Sequence, residues 1–243
     1  MTTTSRWDRL MSLLVLDCVT KRSGGRRSSV TVLDEISLTV EPGEIVAVCG
    51  SRGSGRATLL AVAAGAERPD SGVVLFDGRD VTRHKELGNG ISLVVPDFPA
   101  DIDATMAERV GMPLLFKGAT MHQGRRQGAT ALGAVGIEDV ATFSPAQCRD
   151  DELELAAFAR AAITKPRLLI CDVPIIDRAA SMTDRVIDLL RAFALLDGMA
   201  VLVATDGTFK GADRTLTLQN GQLHAGDGVW PAGSAAPRWE DDH

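Results

Sequence analysis

Residues 45–64 read IVAVCGSRGSGRATLLAVAA, and the order of events in this stretch decides the fold. Five consecutive apolar residues, Ile45 to Cys49, predict a strand buried on both faces. Three glycines, Gly50, Gly53 and Gly55, follow at once. Apolar positions then recur at helical spacing through Leu59, Leu60, Val62, Ala63 and Ala64. Strand, glycine loop and helix in that order form the context of a phosphate loop. Glycines let backbone N–H groups turn toward an anion, and the helix N-terminus adds a favourable dipole. In the pattern Gly-x-x-x-x-Gly-Lys-[Ser/Thr], the lysine position holds Arg56 and the hydroxyl position holds Ala57. Arg56 keeps the charge but replaces a compact ammonium with a planar fork. Ala57 has no oxygen for magnesium, while Thr58 keeps a hydroxyl; Ser51, Arg52 and Ser54 complete the loop. Two readings stand together: a weakened, magnesium-poor nucleotide site, or a glycine turn kept for packing a helix against a strand.

The surrounding text extends the alternation. LLVLDCV and VTVLDEISLTV read as strands on either side of the turn-rich, basic TKRSGGRRSS. PDSGVVLFDGRDV reads as a hairpin and GISLVV as another buried strand. From Pro96 to about Ala162 the pattern is helical. RLLICDV, DRVIDLLRAFALL, AVLVATD and ADRTLTLQNGQL then read as strand, helix, strand and hairpin. Strands alternating with helices imply an α/β protein with a mostly parallel sheet covered on both faces. The expected organisation is a loose extension over 1–10 and a core over 11–95 and 159–224. A helical subdomain over 96–158 and a disordered tail over 225–243 complete it.

Composition narrows the function classes. The chain has 243 residues and a net charge of −6, which argues against nucleic acid as a partner. Its four cysteines contain no C-x-x-C pair, and Cys49 and Cys171 read as small buried hydrophobes in a reducing compartment. No window reaches the length of a membrane span, and SRWDRLMSLLVL carries no signal-peptide cleavage pattern. A cytoplasmic protein is expected, reaching a membrane only through a partner.

Five landmarks in order resemble the ATP-binding subunit of an ABC transporter over roughly residues 12–224. They are VTVLDEISLTVEPGEIVAVCG, LLAVAAGAERPDSGVVLFDGRDVT, SPAQCRDDELELAAFARAAITKPRLLICDVP, VLVATD and ADRTLTLQNGQL. The second is similar to the exporter branch that includes lipoprotein-release and macrolide-efflux ATPases. The resemblance implies a P-loop NTPase fold of the ABC ATPase type, with an antiparallel N-terminal β part and a helical subdomain. It also implies ATP and Mg²⁺ as ligands, dimerisation with the same or another ATP-binding subunit, and a membrane permease as partner.

Residue by residue, the resemblance departs from the family pattern. Asp172 matches the acid of the magnesium shell, but the next position, the family's catalytic glutamate, is Val173, which cannot accept a proton. Losing a general base costs about 10²–10⁴-fold in rate. The glutamine expected after GISLVV falls on Pro96, the switch histidine on Thr205, and the adenine-stacking aromatic on Ser23. The signature Leu-Ser-Gly-Gly-Gln falls on Cys148, Arg149, Asp150, Asp151 and Glu152. Two carboxylates there would repel a triphosphate held by the opposite subunit, and they would face that subunit's Arg52 and Arg56. These departures lead to the expectation of a pseudo-ATPase, a structural or regulatory partner of a permease that binds ATP weakly and holds little magnesium. A slow genuine ATPase, or a soluble interaction protein that has lost nucleotide and transporter, are the alternatives.

Overall fold

The strands β1 (Leu14–Ser23), β2 (Val30–Val40), β4 (Ser71–Phe76) and β5 (Arg79–Asp80) form an antiparallel sheet ordered β2-β1-β4-β5. A second sheet is ordered β10-β9-β3-β8-β7-β6. It joins β3 (Ile45–Cys49), β6 (Ile91–Leu93), β7 (Leu168–Asp172), β8 (Ala200–Thr205), β9 (Arg214–Gln219) and β10 (Gln222–Ala225). Its pairings are parallel except for the β9–β10 hairpin. These features come from a computed structural model that describes residues 12–24, 29–82, 90–95, 97–98, 103–175 and 179–225. The expected N-terminal extension, Pro96 and nearly all of the expected tail lie outside the described residues.

The period of two along each central strand divides the core. On β3, Val46 and Val48 face the cluster that includes Leu59, Leu60 and Val62 of α1 (Arg56–Ala63) and the inner residues of the antiparallel sheet. Ile45 and Ala47 face the opposite cluster, with Val186, Leu190 and Ala194 of α5 (Ala180–Asp197). The strands β7 and β8 divide in the same way, Leu168, Ile170, Leu202 and Ala204 to one side, Leu169, Cys171, Val201 and Val203 to the other. Helix α1 is thereby enclosed between two sheets. Each fully buried aliphatic side chain of this kind contributes about 1.5–3 kcal/mol.

A third cluster belongs to α2 (Met106–Leu115), α3 (Met121–Ala134) and α4 (Asp150–Ala162). The sequence boundary at 158/159 falls inside α4. This helix gives Leu155, Ala156, Ala157 and Ala159 to the helical cluster and Phe158 and Ala161 to the sheet, so it belongs to both units. Thr105 and Thr120 start α2 and α3 with capping boxes, which satisfy the first-turn donors. The two helices cross almost backbone to backbone. A Cβ on Gly128 would stand 1.9 Å from the Ala107 carbonyl oxygen, and one on Gly111 would stand 2.1 Å from the Gly124 carbonyl.

Gly128→Val is therefore expected to destabilise the protein by about 3 kcal/mol through overpacking at this crossing. The same change at Gly118, whose added Cβ would meet nothing within 4 Å but whose φ is +90, should cost less. Urea denaturation midpoints of the two variants check the order.

Candidate functional site

The parallel strands deliver their carboxyl ends to one edge, where open α/β sheets place ligands. The backbone N–H of Gly50 donates to the Thr205 carbonyl at 2.9 Å, and that of Val173 donates to the Ala204 carbonyl at 2.8 Å. The Cys49 thiol donates to the Gly207 carbonyl at 3.2 Å. These bonds join the ends of β3, β7 and β8, so loop 50–55, Asp172 and Asp206 share one neighbourhood.

The loop has the backbone its sequence calls for. Gly53 and Gly55 have φ of +83 and +102, a region costly for side-chain-bearing residues. A Cβ on Gly50 would stand 2.4 Å from Ser54 Oγ. Gly55 is the N-cap of α1, no side chain caps it, and the first turn holds no acid. The first-turn N–H groups therefore present the positive end of the helix dipole toward the loop. Ser54 Oγ and Arg56 Nη1 are buried and have no hydrogen-bond partner within the chain. Burying such groups unpaired costs about 1–3 kcal/mol each, and an anion in the loop would offset it. Ser51 and Thr58 are half-buried, while Arg52 and Ala57 are exposed on the rim.

Arg56 does not extend into solvent. Its Nη1 lies 3.8 Å from Asp172 Oδ1, and its side chain is only 12% exposed against 43% for Asp172. Burial pushes the Asp172 carboxyl above its ordinary value, Arg56 opposes this, and the Asp206 carboxylate adds to it. Asp172 is thus a strand-end acid whose charge is countered mainly by an arginine of its own chain.

This donor set fits a phosphate better than a divalent ion. The backbone nest, the Ser54 hydroxyl and the Arg56 fork all donate, and an anion accepts. Magnesium requires oxygen ligands in octahedral order, but Ala57 supplies none and Asp172 is turned to Arg56. Among the described residues no group of three or more His, Cys, Asp or Glu is placed to hold a metal.

The remaining predicted residues are distributed unevenly around this edge. Val173 is fully buried in the cluster with Phe158, Val203 and Phe209, and so belongs to the core. The Thr205 side chain is also fully buried, and its hydroxyl accepts the Gly207 N–H at 3.3 Å. It closes the turn after β8. The side chain that emerges there is Asp206, whose Oδ1 accepts the Ile175 N–H at 2.7 Å. Sequence reasoning passed over Asp206, although an acid directly after a buried apolar strand was the available signal. Pro96 itself lies outside the described residues. On either side of it, the Val95 and Asp97 carbonyls accept from the Arg160 fork, which also lies 4.2 Å over the Phe98 ring.

The segment Cys148–Glu152 forms the start of α4. Arg149 is the N-cap, and its backbone N–H donates to a Glu152 carboxylate oxygen at 2.8 Å. Its guanidinium donates to Asp151 and reaches Glu152 at 3.1 Å. Asp150, Asp151 and Glu152 all occupy the first turn, where the dipole favours acids. Cys148 is half-buried and donates weakly to the Ser144 carbonyl. The expected pairing of Asp151 and Arg56 across a dimer would have to displace the partners both already have within the chain, Arg149 and Asp172.

Comparison with known proteins agrees with this architecture. The ABC transporter family model matches residues 33–175. The cell division ATP-binding protein FtsE of Escherichia coli (strain K12) is 32% identical over 213 residues, covering 84% of this chain and 94% of its own. The lipoprotein-releasing system ATP-binding protein LolD of Hyphomonas neptunium (strain ATCC 15444) is 31% identical over 228 residues, covering 88% and 96%. A solved dimer of the ATP-binding cassette MJ0796, in a post-hydrolysis state bound to ADP and Pi, shares the fold. It superposes with a TM-score of 0.79 at 24% identity, covering 87% of this chain and 98% of that one. With the phosphate loop at the carboxyl edge of the parallel sheet and a helical subdomain beside it, the chain belongs to the ABC transporter family of ATP-binding proteins.

Proposed function

We propose that this chain is a non-hydrolysing ATP-binding subunit, a structural or regulatory partner of a membrane permease. It would lie on the cytoplasmic face and pair with a second copy or another ATP-binding subunit. The observation that carries this reading is the end of β7. Asp172 is engaged by Arg56, and Val173, the position after it, is buried in the apolar core with nothing to activate water. Hydrolysis needs a base within hydrogen-bond reach of the attacking water, and a buried valine supplies neither lone pair nor access. Ala57 removes a magnesium ligand on the facing loop. The acids that start α4 would meet a triphosphate from the opposite subunit with repulsion, in place of approaching backbone N–H groups. Asp172 and the glycine nest are what a slow genuine ATPase would retain, and turnover is the measurement that separates the two.

The partner assignment draws support from the relatives, named as ATP-binding proteins of cell division and of a lipoprotein-releasing system, and from one surface. Among the described residues no helix is long and apolar enough to cross a membrane. Yet Met112, Phe116 and Met121 expose apolar side chains around the α2–α3 turn, Phe116 being 88% exposed. Exposed apolar side chains around one turn support reading it as an interaction face.

The purified full chain is expected to release no phosphate from ATP above the blank, with or without magnesium; magnesium-dependent turnover abolished by Asp172→Asn would overturn the proposal. Val173→Glu should not restore turnover. It should lower the thermal midpoint by several degrees, because it places a carboxylate in a dry core. Phe116→Glu combined with Met121→Glu should release the chain from the membrane fraction of cells, while shifting stability by no more than about 0.5 kcal/mol. Retention on the membrane would remove this face from the partner assignment.

A further inference from the structure

We propose that the phosphate loop takes a polyphosphate, ATP or its phosphate chain, without a divalent cation, and that Arg56 supplies the positive charge a metal would bring. The proposal rests on the nucleotide-binding part of the reading above and assigns that site its ion requirement.

Three observations place Arg56 in this role. It is the first residue of α1, so its backbone N–H belongs to the nest while its side chain crosses to β7. The guanidinium stands between loop and strand end, with Nη1 3.8 Å from Asp172 Oδ1 and the side chain 12% exposed. That separation gives charge attraction without a hydrogen bond, since donors need acceptors within about 3.2 Å. Arg56 Nη1 is accordingly left buried with no hydrogen-bond partner, and Ser54 Oγ in the same loop is in the same condition. These are two buried donors beside a ring of backbone donors. Phosphate oxygens are the matching acceptors, and a guanidinium can grip two of them at once.

A divalent ion does not fit the same space. Its oxygen ligands would have to come from Asp172, already turned to the arginine, with none available from Ala57. In a magnesium site the strand-end carboxylate helps bind nucleotide, because it holds the metal. Here Asp172 competes with phosphate for Arg56 and repels it. The two arrangements therefore predict opposite signs for the same substitution.

The test is calorimetric titration of the full chain with ATP, and separately with inorganic tripolyphosphate, in EDTA and in magnesium chloride. Phosphate release is followed on the same samples. The dissociation constant for ATP is expected to agree within about threefold between the two conditions, since Arg56 already provides the charge. Tripolyphosphate binding as tightly as ATP would show that the phosphate chain alone is recognised; weaker binding would show that the nucleoside adds contacts. Asp172→Asn should tighten binding in EDTA by about three- to tenfold, and Arg56→Gln should weaken it by about tenfold or more. Thermal melts establish that each variant is folded. Should Arg56→Gln fail to fold, Arg56→Lys replaces it and should weaken binding in EDTA by at least about threefold, because an ammonium cannot span two oxygens. Tightening by magnesium of tenfold or more, weaker binding by Asp172→Asn in magnesium, or no heat at millimolar concentrations of either probe would overturn the inference. Its failure is separable from failure of the non-hydrolysing reading. Magnesium-independent binding with turnover would sink only the latter, and magnesium-tightened binding without turnover only the former.

Discussion

The structure depends on enclosing α1 between two sheets. The helix packs its apolar residues against the inner face of the antiparallel sheet and against alternate residues of β3, β7 and β8. Its N-terminus must therefore begin where β3 ends, with only residues 50–55 to make the reversal. The reversal uses left-handed backbone at Gly53 and Gly55, which glycine adopts at little cost. The same enclosure aims the helix dipole at the strand ends and brings Arg56 over Asp172. Anion-binding geometry at this edge is thus a consequence of packing, and it exists before any ligand is considered.

Much of this was legible in the sequence. The uninterrupted apolar run at Ile45–Cys49, the glycines and the apolar spacing of α1 each report a local constraint, and the five ordered landmarks placed them in one family. The α2, α3 and α4 region was legible as helical, but the dual membership of α4 was not. A run of alanines and apolar residues shows that a helix is buried without showing how many neighbours share it. Thr205 and Asp206 mark a similar limit. Which of two adjacent residues leaves the strand end is decided by pairing, because Thr205 still pairs with Cys49 across the sheet and the chain turns only afterwards. The Arg56–Asp172 contact joins residues far apart in sequence, and nothing local to either reports it.

The acids at the start of α4 show how one substitution pattern can serve two ends. Asp150, Asp151 and Glu152 complement the dipole at the N-terminus of their own helix, and Arg149 gathers two of them. They stabilise the chain to which they belong. By the family resemblance, the same turn would face a partner's phosphate loop, and there their charge opposes a triphosphate. Glycines at this turn would let an outside anion approach the N–H groups, whereas the carboxylates here place negative charge beside them, and Glu152 accepts the Arg149 N–H. Acids at this turn complement the dipole of their own helix, and by the family resemblance the same charge would oppose an anion brought by a partner.

The retained glycines and the altered side chains must for this reason be weighed differently. A Cβ on Gly50 would stand 2.9 Å from the Leu218 carbonyl oxygen, and one on Gly55 would stand 2.9 Å from the Val32 carbonyl oxygen. Both glycines are required by contacts inside the protein whether or not phosphate ever binds, so their presence carries little information about chemistry. Positions 56, 57 and 172 are different. Ala57 is exposed, and the covered Arg56 side chain meets the 43% exposed Asp172 at the edge of the sheet, so the apolar core does not fix the chemistry there. Position 173 is the opposite extreme, where the side chain present is given over to the core. Chemistry is therefore best read from the side chains that packing leaves free.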